Sequence, residues 1–490
     1  MNLSHVVERW AREAPERIAF RFEGRDISYA ALWQRIEQAT SALAGRYAVR
    51  PGDRIAWLGW NDPQFVVMLM ALARLSAIAV PLNARLAPAE LAAILAHSGA
   101  RLLFCATALR SSGDEAARGL PVRLHAGLPL DDANGAPREL PGRDGDVALL
   151  VYTSGTTGQP KGAPHTQANL RWNMRAAIDA QDITAADQTL CALPMFHVGG
   201  LCIQLLPTLC AGGTVSLHAR FEPGAWLGAM LERRPTLALM VPATMRAVLE
   251  HLAFAETPLD SLRMLVTGSA IVPPALIEAF HARGVPVTQV YGATETGPVS
   301  IVLRREDAFG KVGSAGRPAL QVQARLVGSD GSDVPPGEVG EIWLRGPNVV
   351  RGYWNDTHHP AFADGWFKSG DLARVDADGC YWVVGRSTDM IISGGENIHP
   401  AELENVLAQC PKIAEAVVIG VSDARWGEVA VAVLVRKPGV ALDEADVLHL
   451  FEGRIARYKH PRRVCFVDAL PKTALGKVQK GRLRSLLESS

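Results

Sequence analysis

The chain has no surplus of charge. Fifty Lys and Arg residues balance fifty Asp and Glu residues, which leaves no electrostatic footprint for nucleic acid or for an anionic membrane. Cysteine is sparse and patternless. Seven residues (Cys105, Cys191, Cys202, Cys210, Cys380, Cys410, Cys465) are scattered and odd in number, with no C-x-x-C pair or other zinc spacing. Free, mostly buried thiols in a reducing cytoplasm are the expectation. Long apolar runs are lacking too. The longest, Phe65 to Leu82, is broken by Arg74 and Pro81 and reads as a buried helix leading into a strand, not a membrane span. The N-terminal stretch reads as an amphipathic helix without the apolar centre of a signal peptide. No repeat of fixed period is visible.

What is present is a large apolar share, 48% of 490 residues. A chain of that size exceeds one hydrophobic core, so two or more domains are expected in a soluble globular protein. Residues 16 to 106 alternate short apolar strands (54–59, 77–80, 101–106) with helical patterns (29–45, 63–75, 88–98). The alternation resumes after residue 165, with strands expected at 189–193, 214–217, 237–241, 264–267 and 287–291. This predicts an α/β class of layered subdomains around a largely parallel sheet. Residues 313 to 345 turn to short strands with Gly, Pro and Asp turns, which predicts a β-rich lobe on the large domain. Residues 107 to 145 carry no assignable pattern. Beyond Gly385-Arg-Ser-Thr-Asp389 the chain restarts as an α+β unit of about a hundred residues, a usual domain size. Helices are expected there at 400–409 and 443–455, and strands at 414–420, 429–435 and 463–467.

The chemistry concentrates in Tyr152-Thr-Ser-Gly-Thr-Thr-Gly-Gln-Pro-Lys-Gly162. An apolar strand, Val147 to Val151, runs into it, and a helix is expected near His165. Glycines let the backbone approach an anion and turn N–H groups toward it. Thr153, Ser154, Thr156 and Thr157 add hydroxyl donors, and Lys161 adds a point charge. The loop suits the phosphates of a nucleotide, although it lacks Walker spacing.

Further motifs follow in order: Pro194-Met-Phe-His-Val198, Thr267-Gly-Ser-Ala270, Tyr291-Gly-Ala-Thr-Glu-Thr-Gly297, Trp366-Phe-Lys-Ser-Gly-Asp371, Gly385-Arg386, Ile391-Ile-Ser-Gly-Gly-Glu-Asn397 and Pro471 to Lys477. As a set they resemble the adenylate-forming superfamily of acyl-CoA synthetases, adenylation domains and beetle luciferases, over nearly the whole chain. Within it the chain is most similar to bacterial fatty-acyl and aryl acid:CoA ligases. The resemblance implies a large N-terminal domain, 1–386, holding the ATP and acyl sites, and a small mobile C-terminal domain, 387–490, carrying a catalytic lysine and a CoA tunnel.

The resemblance also implies roles. Thr153, Ser154, Gly155, Thr156, Thr157, Gly158 and Lys161 would hold the ATP phosphates. Thr294 would hydrogen-bond a phosphate, and Glu295 with Thr156 would bind Mg2+. Gly268, Ser269, Ala270, Tyr291, Gly292 and Ala293 would line the adenine. Asp371 would accept from the ribose hydroxyls, a task for an acceptor-only carboxylate, with Arg386 beside it. Lys477 would neutralise charge as carboxylate meets phosphate, and His197 would sit at the acyl site. Gly394 and Gly395 would line the thiol tunnel, while Trp426 and Lys459 would meet the nucleotide end of CoA. Taken alone, Asp371 reads as a turn residue, Glu295 as a helix-start acid, Lys477 as a solvated tail lysine and His197 as a satisfied core histidine; their places in the motifs decide otherwise. At the joint the family usually has an acid or lysine where this chain has Thr388, with Asp389 adjacent.

The segments 196–201, 241–245, 268–270 and 292–299 are expected to form the acyl pocket. They are apolar and rich in small residues, and no arginine among them would pair a second carboxylate. His197 stands where amino-acid adenylating enzymes carry aspartate. The expected substrate is therefore a hydrophobic acid, a medium- or long-chain fatty acid foremost. An aromatic acid, or acyl transfer to a carrier protein, is the alternative. The expected partners are small molecules only: the carboxylic acid, ATP with Mg2+, and CoA. A homodimer stays open.

Overall fold

The computed structural model describes residues 2–128, 130, 142–154, 160–393, 396–423, 426–452, 454–473 and 476–488, without the side chains of Ser154, Pro160, Glu396, Asn397, Tyr458 and Glu488. Among these residues the strands form four sheets. The first has six strands in the order Arg123–Ala126, Leu102–Cys105, Arg54–Leu58, Ile78–Leu82, Val147–Ser154 and Pro160–Thr166. All neighbours are parallel except the last pair. Its central strands are nearly continuous apolar runs, as expected of parallel strands with both faces covered. The helix Pro63–Arg74 covers one side and buries nearly every side chain. Asp62 caps that helix by accepting the Gln64 N–H at 2.8 Å, and Pro63 supplies a first residue with no N–H to satisfy.

The second sheet has nine strands. Its centre, Gln188–Cys191, Leu237–Met240, Met264–Gly268 and Val287–Tyr291, is parallel. All four strands therefore end on the same side, and ligands in such sheets gather beyond those carboxyl ends. One apolar core runs from Leu3 to Leu217 and joins this sheet to the first. A second core couples it to a five-stranded lobe built from Gln323–Val327, Gly340–Arg345, Phe362–Ala363, Trp366–Val375 and Tyr381–Arg386.

The last sheet also has five strands and is dominated by the antiparallel pair Ile413–Asp423 and Gly427–Arg436. Leu403 and Leu407 of the helix Pro400–Ala408 pack on one face, with Val447 and Phe451. Leu470, and Leu483 of the helix Lys480–Glu488, pack on the other. Both clusters draw only on residues from 391 onward. All seven cysteines are free. Among the described residues no helix is long and apolar enough to cross a membrane.

The structure departs from the sequence expectations in four places. The phosphate-loop strand does not lead through its loop into a helix. It leads into the antiparallel strand Pro160–Thr166, and the helix begins only at Gln167. The returning strand is an edge strand, which tolerates Pro164 and its missing donor. The unassigned region contains a helix, Arg110–Ala117, and a strand, Arg123–Ala126. The β-rich lobe extends to Arg386, well past 345. The helix expected over 443–455 is only Glu444–His449.

Candidate active site

Two strand ends of the nine-stranded sheet supply the floor. Met264–Gly268 ends in Gly268, where an added Cβ would lie 2.4 Å from the Val290 carbonyl oxygen. Only glycine allows the neighbouring strand to run that close. Ser269 follows with φ +67°, a left-handed conformation that turns the chain sharply at Ala270. Val287–Tyr291 continues into Gly292, whose Cβ position is filled by the Pro298 carbonyl, and then Ala293. A single 3-10 turn, Thr294–Thr296, comes next, closed by the Ala293 N–H donating to Thr296 Oγ1 at 2.9 Å. Thr294 and Glu295 are both buried there. Beside Thr294 lies His165, fully buried and kept neutral by that burial, its pKa pushed down to about 4.

The β-rich lobe brings Asp371 to the same place. Asp371 Oδ2 accepts from the Tyr291 hydroxyl at 2.8 Å, and Oδ1 accepts from Arg386 Nε at 2.9 Å. Arg386 faces Asp371 directly across the antiparallel pair Trp366–Val375 and Tyr381–Arg386. The carboxylate raises the pKa of its guanidinium partner, while burial and the same carboxylate push the Tyr291 phenol up. Asp371 is thus a fixed, acceptor-only group with lone pairs to spare.

The loop that carries Lys477 closes over this pair. Thr473 N–H donates to the Lys477 carbonyl at 2.7 Å, and Gly476 adopts φ +78°. A Cβ on Gly476 would lie 3.1 Å from that of Ala243, so the turn abuts the expected acyl segment. Arg246 Nη1 donates to the Ala414 carbonyl at 2.8 Å and ties the C-terminal unit to the same helix. Lys477 is exposed, yet its ammonium pKa is lowered. Surrounding protein and the Arg386 charge are the causes, opposed by Asp371 and Asp389. A cation so placed gains by meeting an incoming anion.

On the side of the 147–166 hairpin, Lys161 Nζ lies 2.9 Å from His359 Nε2 and 5.4 Å from the centre of the Tyr353 ring. The Tyr353 hydroxyl donates to Glu295 Oε1 at 2.6 Å. The Trp354 N–H donates to the Gly162 carbonyl, and the Val350 N–H to the Glu295 carbonyl, so this segment straps the hairpin to the turn. Among the described residues no three His, Cys, Asp or Glu side chains group as a metal site. One buried carboxylate with a free oxygen still fits Mg2+, which prefers one or two protein oxygens plus substrate phosphates.

His197 caps the short helix Val198–Cys202, its Nδ1 accepting the Gly199 N–H at 3.1 Å. Burial pushes its pKa down to about 4, so the ring is neutral near pH 7. A Cβ on Gly199 would lie 3.3 Å from His197 Nδ1 and 3.7 Å from Ser269 Oγ. His197 therefore borders the 268–270 segment.

The structure thus brings together Lys161, His197, Gly268, Ser269, Ala270, Tyr291, Gly292, Ala293, Thr294, Glu295, Asp371, Arg386 and Lys477. Thr153 flanks them on the hairpin, paired with Lys161. Gly155, Thr156, Thr157, Gly158, Gly394 and Gly395 lie outside the described residues, as does the side chain of Ser154. Trp426 and Lys459 are placed elsewhere on the C-terminal unit: Trp426 lies under the Arg462 guanidinium at 5.4 Å, and Lys459 pairs with Glu402 at 2.6 Å. Tyr353 and His359 were not expected. They fall between two recognised motifs, and the only signal was an aromatic pair, Tyr353 and Trp354, and two histidines in an otherwise polar run, 353–359.

The strand ends at Gly268 and Gly292, the Asp371–Arg386 pair and the Lys161 and Lys477 ammonium groups border one cleft, an arrangement expected of an adenylate-forming enzyme. The family models agree: residues 7–354 match that of the AMP-binding enzyme, and residues 402–477 that of the AMP-binding enzyme C-terminal domain. The chain belongs to the AMP-binding enzyme family and is an ATP-dependent acid–CoA ligase. It is 45% identical to an indoleacetate–CoA ligase of Aromatoleum aromaticum, over 99% of this chain and 98% of that protein. It is 44% identical to a feruloyl-CoA synthase of an Amycolatopsis species, over 97% of each. The solved o-succinylbenzoate coenzyme A synthetase of Bacillus subtilis, in complex with ATP and magnesium, superimposes with a TM-score of 0.87 at 33% identity over 98% of each chain. The expected use of ATP, Mg2+ and CoA stands with these.

Proposed function

We propose that this ligase activates an aromatic carboxylic acid, forming an aryl- or arylalkanoyl-adenylate and then its CoA thioester. The observation that carries the reading is end-to-end similarity, at 44–45% identity, to ligases named for indoleacetate and ferulate. The fatty-acid preference expected from the sequence gives way to the aromatic alternative. The pocket chemistry agrees. Gly199, Ser269 and the neutral His197 meet at one wall, and Ala243 faces the Lys477 loop. Small residues and an uncharged imidazole suit a flat ring, which has little conformational entropy to lose on binding.

In this reading Asp371 accepts from the ribose hydroxyls and Arg386 fixes its orientation. The 153–161 hairpin and Thr294 hold the phosphates. Glu295 would supply a protein oxygen to Mg2+, which screens the phosphate charge when bound. Lys477 bridges carboxylate and α-phosphate as the adenylate forms, since cations placed where charge develops act chiefly in the transition state. The unit from residue 387 then turns about the Ser387–Asp389 segment, withdrawing Lys477 and presenting Gly394, Gly395, Trp426 and Lys459 to CoA. A cytoplasmic location suits the free thiols and the need for ATP and CoA.

The test is a panel of indoleacetic, ferulic, coumaric, benzoic, octanoic and palmitic acids, assayed for AMP release with and without CoA. At least one aromatic acid is expected to exceed both fatty acids by about tenfold or more in kcat/KM, the worth of a well-filled pocket. A faster fatty acid would reverse the assignment. AMP release indifferent to CoA would favour a carrier-protein acceptor.

A further inference from the structure

The contact between Lys161 and His359 does not balance its protons. His359 Nδ1 accepts the Ala361 N–H at 3.2 Å. A neutral imidazole has one donor and one acceptor, so that bond places the ring proton on Nε2. Nε2 stands 2.9 Å from Lys161 Nζ, and an ammonium has three hydrogens and no lone pair. Two donors thus face one another with no acceptor between them. The other tautomer lets Nε2 accept from Lys161 but strands the Ala361 N–H. Protonating the ring sharpens the conflict, and both burial and the Lys161 charge lower the His359 pKa, with Asp356 and Glu295 opposing. One anionic oxygen set beside both nitrogens would satisfy every group at once.

The surroundings hold the two donors in place for such an oxygen. The His359 ring stands edge-on to Tyr353, with centroids 4.8 Å apart and planes at 89°. Phe362 packs against the same Tyr353 ring at 5.3 Å. Tyr353 is tied to Glu295, and Lys161 lies near the face of the Tyr353 ring. The strap therefore fixes His359 next to the phosphate-loop lysine and one residue away from the Glu295 carboxylate.

We propose that Lys161 Nζ and His359 Nε2–H form a two-donor clamp for a terminal oxygen of the phosphate chain, carried by the γ-phosphate in ATP and then by free pyrophosphate. The assignment rests on the ATP-dependent ligase reading. In the free enzyme the clamp sits frustrated; anion binding relieves it while keeping the Nε2–H tautomer and the Ala361 bond.

The experiment is product inhibition by inorganic pyrophosphate in the full enzyme, beside ATP–pyrophosphate exchange. Asn in H359N can still accept the Ala361 N–H through Oδ1 but is too short to reach the clamp. H359F keeps the ring against Tyr353 and removes both nitrogens. H359Q restores an N–H near the Nε2 position. The inhibition constant for pyrophosphate is expected to rise about tenfold in H359N and H359F and to return within about threefold in H359Q, the scale of one charge-assisted hydrogen bond. KM for the acid and for CoA, and thioester formation from supplied acyl-adenylate, stay within about twofold. Pyrophosphate inhibition of H359N or H359F at the wild-type level overturns the clamp, as does an H359Q no better than H359N. Wild-type enzyme without any exchange would instead remove the ligase reading on which the clamp depends.

Discussion

Lys477→Ala is expected to slow adenylate formation about a thousandfold while leaving thioester formation from a supplied acyl-adenylate within about threefold of wild type, an oxyanion-type loss of about 4 kcal/mol. The geometry gives the reason. Lys477 is carried on a tight turn that abuts Ala243 and faces the Asp371–Arg386 pair, where surrounding protein and a neighbouring cation lower its pKa. Such an ammonium is least stable in the empty cleft. It is relieved when a carboxylate and a phosphate converge on it, which happens only in the first half-reaction. The second step starts from an acyl-adenylate in which carboxylate and phosphate are already joined and pyrophosphate has left, so Lys477 no longer has two separate anions to bring together. Pyrophosphate exchange reports the first step, and single-turnover thioester formation the second. Equal loss in both would mean that the substitution disrupts the fold or the cleft generally.

Asp371→Ala is expected to lower kcat/KM for ATP by about a hundredfold or more, because hydrogen bonds to a charged group are worth about 1.5–3 kcal/mol each and two ribose hydroxyls are involved. The carboxylate is already oriented by Tyr291 and Arg386, each through one oxygen, so little ordering is needed when the ribose arrives. Asp371→Asn should be nearly as poor, since the amide replaces one acceptor by a donor facing Arg386. The melting temperature should move little, because the Arg386 side chain is partly exposed and can turn to water. KM for the acid is the internal control. ATP kinetics unchanged in Asp371→Ala would place the ribose elsewhere.

Much of this cleft was legible before the coordinates. The buried parallel strands at 54–58, 78–82, 102–105 and 237–240 are nearly continuous apolar runs. Asp371, Glu295 and Lys477 stand out in the sequence because each sits in a motif with a steep chemical requirement, and the structure sets them around one cleft. The hairpin after Ser154 was not found. Its second strand, Pro160–Thr166, lies on a sheet edge, carries two prolines and shows no strict alternation, so neither strand nor helix periodicity marks it. Tyr353 and His359 escaped for another reason. Their significance lies in contacts with Glu295, 58 residues away, and Lys161, 198 residues away, and no local spacing encodes such pairings. The acid itself was legible only as hydrophobic, because glycine and alanine define an acyl slot by what they leave empty.

The most direct test of a single cleft that first activates an acid and then passes it to sulfur is ATP–pyrophosphate exchange by the wild-type protein with Mg2+ and an aromatic acid. Exchange is predicted to require the acid and to proceed in full without CoA, since the adenylate forms before the thiol enters. Exchange that fails with every acid tried, or that begins only when CoA is added, would contradict the account.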